Sequence, residues 1–438
     1  MNRSLKMSSI TQIWNRFRGN KDAKTLAGNF MWLSLLQVAG YVFPLITLPY
    51  LARVIGVDGF GKIAFAMAVM VWIQTIADWG FNFTATRDVA QNREHPERVA
   101  QIFSDVLWAR CLLMILSLAV LLLLIVCFET FRENWAVLLV SFLMIPGHIL
   151  FPDWFFQAIE RMKYITLLNL LMKVVFTVAV FLFIKEREDF LLQPLFTSLG
   201  YVISGIIALY VILVKWHYRL QRPNFKQAVS QIKSSTDVFI NNLFPNLYNS
   251  FSTMLLGFWG GAVPIGILDG GNKFVQVGNQ ILQMFSRVFY PFLSRNTNQH
   301  KIYVKIVFSV AVMMAVVLFL IAPWLVKYML APGFEDSVWV IRIRAVSFVF
   351  LALANAYGAN YLIIIHKEHA LRRLTGFCSI IGFVIAWPLV YYFSYIGAAV
   401  TVTISLALIM LGSRWLARKY QKQRHDKPTK QAFIELAE

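Results

Sequence analysis

"YITLLNLLMKVVFTVAVFLFI", residues 164–184, carries a single charge, Lys173, close to its middle. A helix of that length rises about 30 Å, the thickness of the hydrocarbon core of a bilayer. An ammonium at that depth is costly unless it meets water or a counter-charge. The stretch therefore points to a chain that crosses a membrane and to a polar interior within the crossing.

Composition agrees. Of the 438 residues, 58% are hydrophobic and 14% charged, whereas soluble domains are about 25% charged. Twelve apolar runs of this kind follow one another, at about 29–51, 61–83, 105–128, 135–156, 164–184, 190–214, 238–259, 264–292, 303–326, 337–365, 374–393 and 397–414. They predict an all-α integral membrane protein, since the strands of a membrane barrel alternate and run only about ten residues. The first run is too long for a signal peptide and lacks a small-residue cleavage site, so it reads as an uncleaved anchor.

Lys and Arg concentrate in the N-terminal tail, every second loop and the C-terminal tail, at positions such as Arg3, Arg87, Arg93, Arg161, Lys163, Arg219, Arg222, Arg295, Arg372, Arg373 and Lys430. The alternate loops hold few: Arg53, Lys62, Arg132, Lys185, Arg187 and Lys327. Basic loops stay cytoplasmic, which predicts both termini inside. The net charge of +19 would suggest nucleic acid in a soluble chain, but here it faces anionic lipid, and no nucleic-acid partner is expected. Cys111, Cys127 and Cys378 are not spaced as metal ligands or a redox pair. Neither a metal nor a cofactor is expected.

The polar interval 215–237, "KWHYRLQRPNFKQAVSQIKSSTD", reads as an amphipathic helix on the cytoplasmic surface. It divides the chain into a six-helix bundle with a basic tail (1–214), this linker, a second six-helix bundle (238–416) and a basic tail (417–438). An offset of about 205 residues lays "GVDGFGKIAFA" (56–66) on "GAVPIGILDGG" (261–271), as an internal repeat would. Six is even, so both halves enter the membrane with one orientation, and transporters of this kind carry substrate between their halves.

Within "LDGGNKFVQVGNQILQMFSR" (268–287), Asp269, Lys273, Gln276, Gln280, Gln283 and Arg287 recur at steps of three and four, one face of a helix. Such a stripe cannot face lipid. Asn242 and Asn246 mark a similar face on the seventh run, Gln74 and Asp78 on the second, and Gln37 on the first. Arg110, Lys173, Arg342 and Arg344 add basic groups inside spans. Asp269 and Lys273 are placed to pair, and after that pairing the interior remains positive, suiting an anionic substrate such as a phosphate or pyrophosphate. Asp78 and Asp269 are the candidates for a coupling H+ or Na+. For Asp269, pairing with Lys273 and taking up a coupling ion remain open alternatives.

At "LARVIGVDGFGKIAFAMAV" (51–69), "DWGFNFTATRDVAQNREHPERVAQIF" (78–103) and "FPDWFFQAIERMKYITLLNLLMK" (151–173) the chain resembles the bacterial O-antigen and polysaccharide flippases. These are the Wzx-type transporters of the multidrug/oligosaccharidyl-lipid/polysaccharide exporter superfamily. The resemblance implies two six-helix bundles in a V around a cationic central cavity. It implies an undecaprenyl-pyrophosphate-linked oligosaccharide as substrate, carried to the periplasmic leaflet. It also implies a polysaccharide polymerase and glycosyltransferases as partners. A drug exporter of the same superfamily would share the architecture but favour an acidic, apolar cavity. An enzyme would need an exposed domain or a catalytic motif, and neither is found in the sequence.

Overall fold

The computed structural model describes residues 21–435, and side chains from 28 to 421 apart from 30, 41 and 297. Every described element is helical. The first, α1 (Lys21–Asp78), is followed by α2 (Phe81–Gln91), α3 (Pro96–Cys127), α4 (Trp135–Phe142), α5 (Met144–Leu150), α6 (Met162–Phe183) and α7 (Leu192–Tyr210). Then come α8 (Phe225–Leu243), α9 (Ser250–Trp259), α10 (Ala262–Arg295), α11 (His300–Met329), α12 (Ser337–Tyr357) and α13 (Glu368–Glu435). The polar interval that separates the halves enters α8 at Phe225, capped by the Asn224 side chain, and runs on as one helix to Leu243.

Among the described residues, eight helical stretches are long and apolar enough to cross a membrane by length and composition. Two of them, Met31–Gln91 and Glu368–Gln421, are long enough for two crossings each. They bend where the backbone leaves helical geometry, at Gly56 (φ 67°) and Ser394 (φ 52°). The seventh and eighth expected runs are not among the eight, because α9 is short and α10 carries the polar stripe.

At one end of the molecule, the bend end, α1 packs on the start of α10. A Cβ on Gly61 would overlap the Ala262 carbonyl, and one on Gly266 would overlap the Val57 carbonyl. Glycine is required at both positions because the helices touch backbone to backbone. Arg53 Nη2 donates to the Tyr328 carbonyl (2.8 Å) and Phe60 meets the edge of Phe334 (5.6 Å), closing this end further. At the opposite end the halves meet through Trp79, stacked on Phe239 with ring centres 3.9 Å apart, and through Thr84 and Ser235, whose hydroxyls lie 2.7 Å apart.

Candidate functional site

Between these two contacts lies a cavity of about 430 Å³. The arm of α1 before the bend lines it with Gly40, Pro44, Thr47 and Leu48, and the arm after it with Phe60, Ile63, Ala64 and Met67. From α6 come Met172, Lys173 and Phe176; from α7, Gln193, Thr197 and Tyr201; and from α10, Asp269, Lys273, Gln276, Val277 and Gln280. The cavity therefore has walls from both halves. It is apolar on the α1 side and polar where α6, α7 and α10 converge.

Its charges divide unequally. Asp269 and Lys273, one helical turn apart, form an ion pair of 3.1 Å. Lys173 is half-buried, and among the described residues it has no ion-pair or hydrogen-bond partner. One ammonium is thus left uncompensated in a lining that also holds Gln193, whose buried Oε1 lacks a partner. Gln37 Nε2 donates to Gln280 Oε1 (3.2 Å), joining the first helix of one half to the second helix of the other. The site offers one uncompensated positive charge, amide and hydroxyl groups, and an apolar wall. That combination can hold an anionic group together with a hydroxyl-rich one.

Five of the residues expected from the sequence meet here: Lys173, Asp269, Lys273, Gln276 and Gln280. The others lie elsewhere. Gln283 and Arg287 continue the stripe along α10 beyond the cavity, Arg287 exposed. Asn242 is exposed on α8, while Asn246 Nδ2 donates to Thr75 Oγ1 (2.8 Å) and ties the halves together. Arg342 lies over the rings of Phe319 (4.9 Å) and Trp339 (5.4 Å), and Arg344 is buried inside the second half.

Arg110 does not line the cavity either. It is 1% exposed and bonds Asp78, which also receives His148 Nε2 at 3.2 Å. Asp78 is therefore the counter-ion of a buried arginine, because a guanidinium in this interior needs a carboxylate to offset its desolvation. His148 also lies 3.0 Å from Gln74 and meets the edge of Tyr201, so this network abuts the cavity wall.

Sequence reasoning passed over α7. Gln193, Thr197 and Tyr201 stand four residues apart and all face the cavity, and that spacing is itself a polar stripe of the kind read on α10. The stripe is shorter, and the surrounding residues are strongly apolar.

A helical membrane protein whose two halves enclose a charged cavity has the architecture of a transporter. Residues 26–297 match the family described as polysaccharide biosynthesis protein, and the chain belongs to that family. It is 25% identical over 399 residues to a protein of Escherichia coli (strain K12) named "Putative O-antigen transporter", covering 89% of this chain and 96% of the relative. A Shigella dysenteriae protein of the same name is 24% identical over 389 residues, covering 87% and 98%. Among solved structures, the lipid II flippase MurJ in its inward closed conformation matches with a TM-score of 0.71 at 13% identity, over 88% of this chain and 87% of that one. An inward-facing multidrug resistance MATE family transporter of the MOP superfamily matches at 0.65 and 14% identity, over 90% and 99%. These last two likenesses are of fold.

Proposed function

We propose that the protein is a flippase for a lipid-diphosphate-linked oligosaccharide, such as an undecaprenyl-pyrophosphate-linked O-antigen or polysaccharide repeat unit. It would carry the headgroup from the cytoplasmic to the periplasmic leaflet of the inner membrane while the lipid tail stays in the bilayer. The observation that carries this reading is Lys173, an ammonium without a partner in a cavity walled by both halves. Beside it, the Asp269–Lys273 pair contributes no net charge, so the lining as a whole is positive. An organic cation would be repelled there, which disfavours the drug-exporter reading even though that fold is shared.

The substrate's chemistry matches the lining in parts. A diphosphate is attracted by Lys173 and Lys273, sugar hydroxyls by Gln193, Gln276 and Gln280, and the apolar faces of sugar rings by Phe43, Phe60 and Phe176. Distribution of Lys and Arg supports twelve crossings with both termini in the cytoplasm, which assigns the bend end to the periplasm. Alternating access then consists of separating either the Gly61–Gly266 contact or the Trp79–Phe239 contact. Asp269 either holds Lys273 or takes up a coupling H+ or Na+. A polymerase that consumes the flipped glycan and the glycosyltransferases that build it are the partners this role requires.

The test is to delete the gene from its host and identify the lipid-linked glycan that accumulates on the cytoplasmic side. Restoration of export by the wild-type chain, with no restoration by Lys173→Ala at equal protein level, supports the reading. Unchanged glycan export in the deletion strain, together with raised sensitivity to organic cations, would overturn it.

A further inference from the structure

We propose that Arg344 is the centre of a binding site for a small monovalent anion, buried inside the second half and separate from the central cavity. Arg344 is 7% exposed, and its Nε and Nη1 have no hydrogen-bond partner. Among the described residues no carboxylate lies within ion-pairing distance of it. The contrast with the first half is sharp, since the buried Arg110 there has Asp78. A guanidinium withdrawn from water without a negative charge beside it is strongly disfavoured.

The surroundings fit an ion. On α12, Val340 packs on Gly271 of α10, where an added Cβ would fall 2.9 Å from its side chain, and Phe348 packs on Gly278 in the same way. Arg344 lies four residues from each, on the same face of α12, and so points into the α10–α12 interface between the two glycine contacts. The Tyr248 hydroxyl lies within electrostatic reach of the guanidinium. Asn272 and Asn279, seven residues apart on one flank of α10, each bury an Oδ1 with no partner. Turning either carboxamide over presents its NH2 instead, because the oxygen and nitrogen of such a group are assigned from partners.

The result is a buried cation with two spare donors, two carboxamides whose bonds are unmade, and a nearby phenol. A single negative charge would balance Arg344, and amide and phenol donors would complete its shell. The glycine contacts above and below are about 10 Å apart along the helices. Tight packing at both glycines leaves no room for a glycan headgroup beside Arg344. The same charge could come from within the chain, by Asp269 leaving Lys273, and the test separates these sources.

The full-length protein, purified in detergent, would be unfolded thermally at constant ionic strength with chloride or bromide replacing gluconate. The melting temperature should rise saturably with either halide, and Arg344→Gln should flatten the dependence or shift its midpoint about tenfold or more. The halide dependence should be present with Asp269 intact and should not require Asp269→Asn. Crystals grown in bromide should show an anomalous peak beside Arg344, which decides the matter on the wild-type chain if Arg344→Gln does not fold. Equal melting in chloride and gluconate with no bromide beside Arg344 would overturn the proposal. So would a halide dependence that survives Arg344→Gln, or one that appears only in Asp269→Asn.

Discussion

Gly61 and Gly266 pack reciprocally: each lies under the backbone of the helix that carries the other, Gly61 at Ala262 and Gly266 at Val57. The same 205-residue offset that relates the two sequence stretches relates Val57 to Ala262 and Gly61 to Gly266. It also relates Gly56 to Gly261, both glycines with positive φ, 67° and 75°, at the start of the inner helices. The contact is thus self-complementary about an axis between the halves, as in an interface of like with like.

Filling this contact should open it. Gly61→Leu or Gly266→Leu places a side chain where a carbonyl now sits, and overpacking of this kind costs about 1–3 kcal/mol. Relieving it by parting the helices shifts the population toward the state open at the bend end by roughly tenfold or more. Cross-linking of cysteines at positions 57 and 262 should fall in proportion, and unchanged cross-linking would show that this end does not move.

Loss of Lys173 should act on transport and not on folding. Its ammonium has no partner to lose, so Lys173→Met, which keeps the apolar stem, should leave the protein level unchanged. Glycan export should drop by about tenfold, the loss of one charge-assisted hydrogen bond, and Lys173→Arg should retain part of it. Export at the wild-type rate in Lys173→Met would remove this residue from the substrate path.

Arg110 should behave oppositely. Replacing it with Leu leaves Asp78 as an uncompensated buried charge, a change that costs about 3–5 kcal/mol when a buried pair is broken. Protein level should fall, and the double variant Arg110→Leu with Asp78→Asn should recover much of it. A normal level in the single variant would mean that Asp78 is neutralised in another way.

The difference between Lys173 and Arg110 marks what the sequence can reveal. Each is a basic residue inside an apolar run, and each reads as a candidate for the cavity. The run itself dictates the helix and its depth, so the membrane architecture and the Asp269–Lys273 pair, one turn apart, are legible. Arg110 finds its acid 32 residues away on α1, and which face of α3 meets α1 is decided by tertiary packing. The glycine repeat is legible because a backbone contact tolerates one residue type. By contrast Gln193, Thr197 and Tyr201 acquire meaning only when α7 is seen to close the cavity opposite α10.

The stripe on α10 supplies the last test. Single cysteines from Leu268 to Arg287, in a chain without Cys111, Cys127 and Cys378, would be exposed to a water-soluble thiol reagent. Positions 269, 273, 276 and 280 line the cavity and should label, while 274, 275 and 278, buried against the second half, should not. Ile281, at 44% exposure, stands on a flank of the helix about 100° round from Gln280. If that surface meets lipid, its cysteine should stay unlabelled by a charged reagent despite being exposed, because thiolates do not form in hydrocarbon. A diphosphate added with the reagent should protect 276 more than 280, since Lys273, kept in both variants, lies one turn from Gln276 and two from Gln280. Labelling that ignores the helical period would show that water does not follow this face, and the path would then have to run along α7 instead.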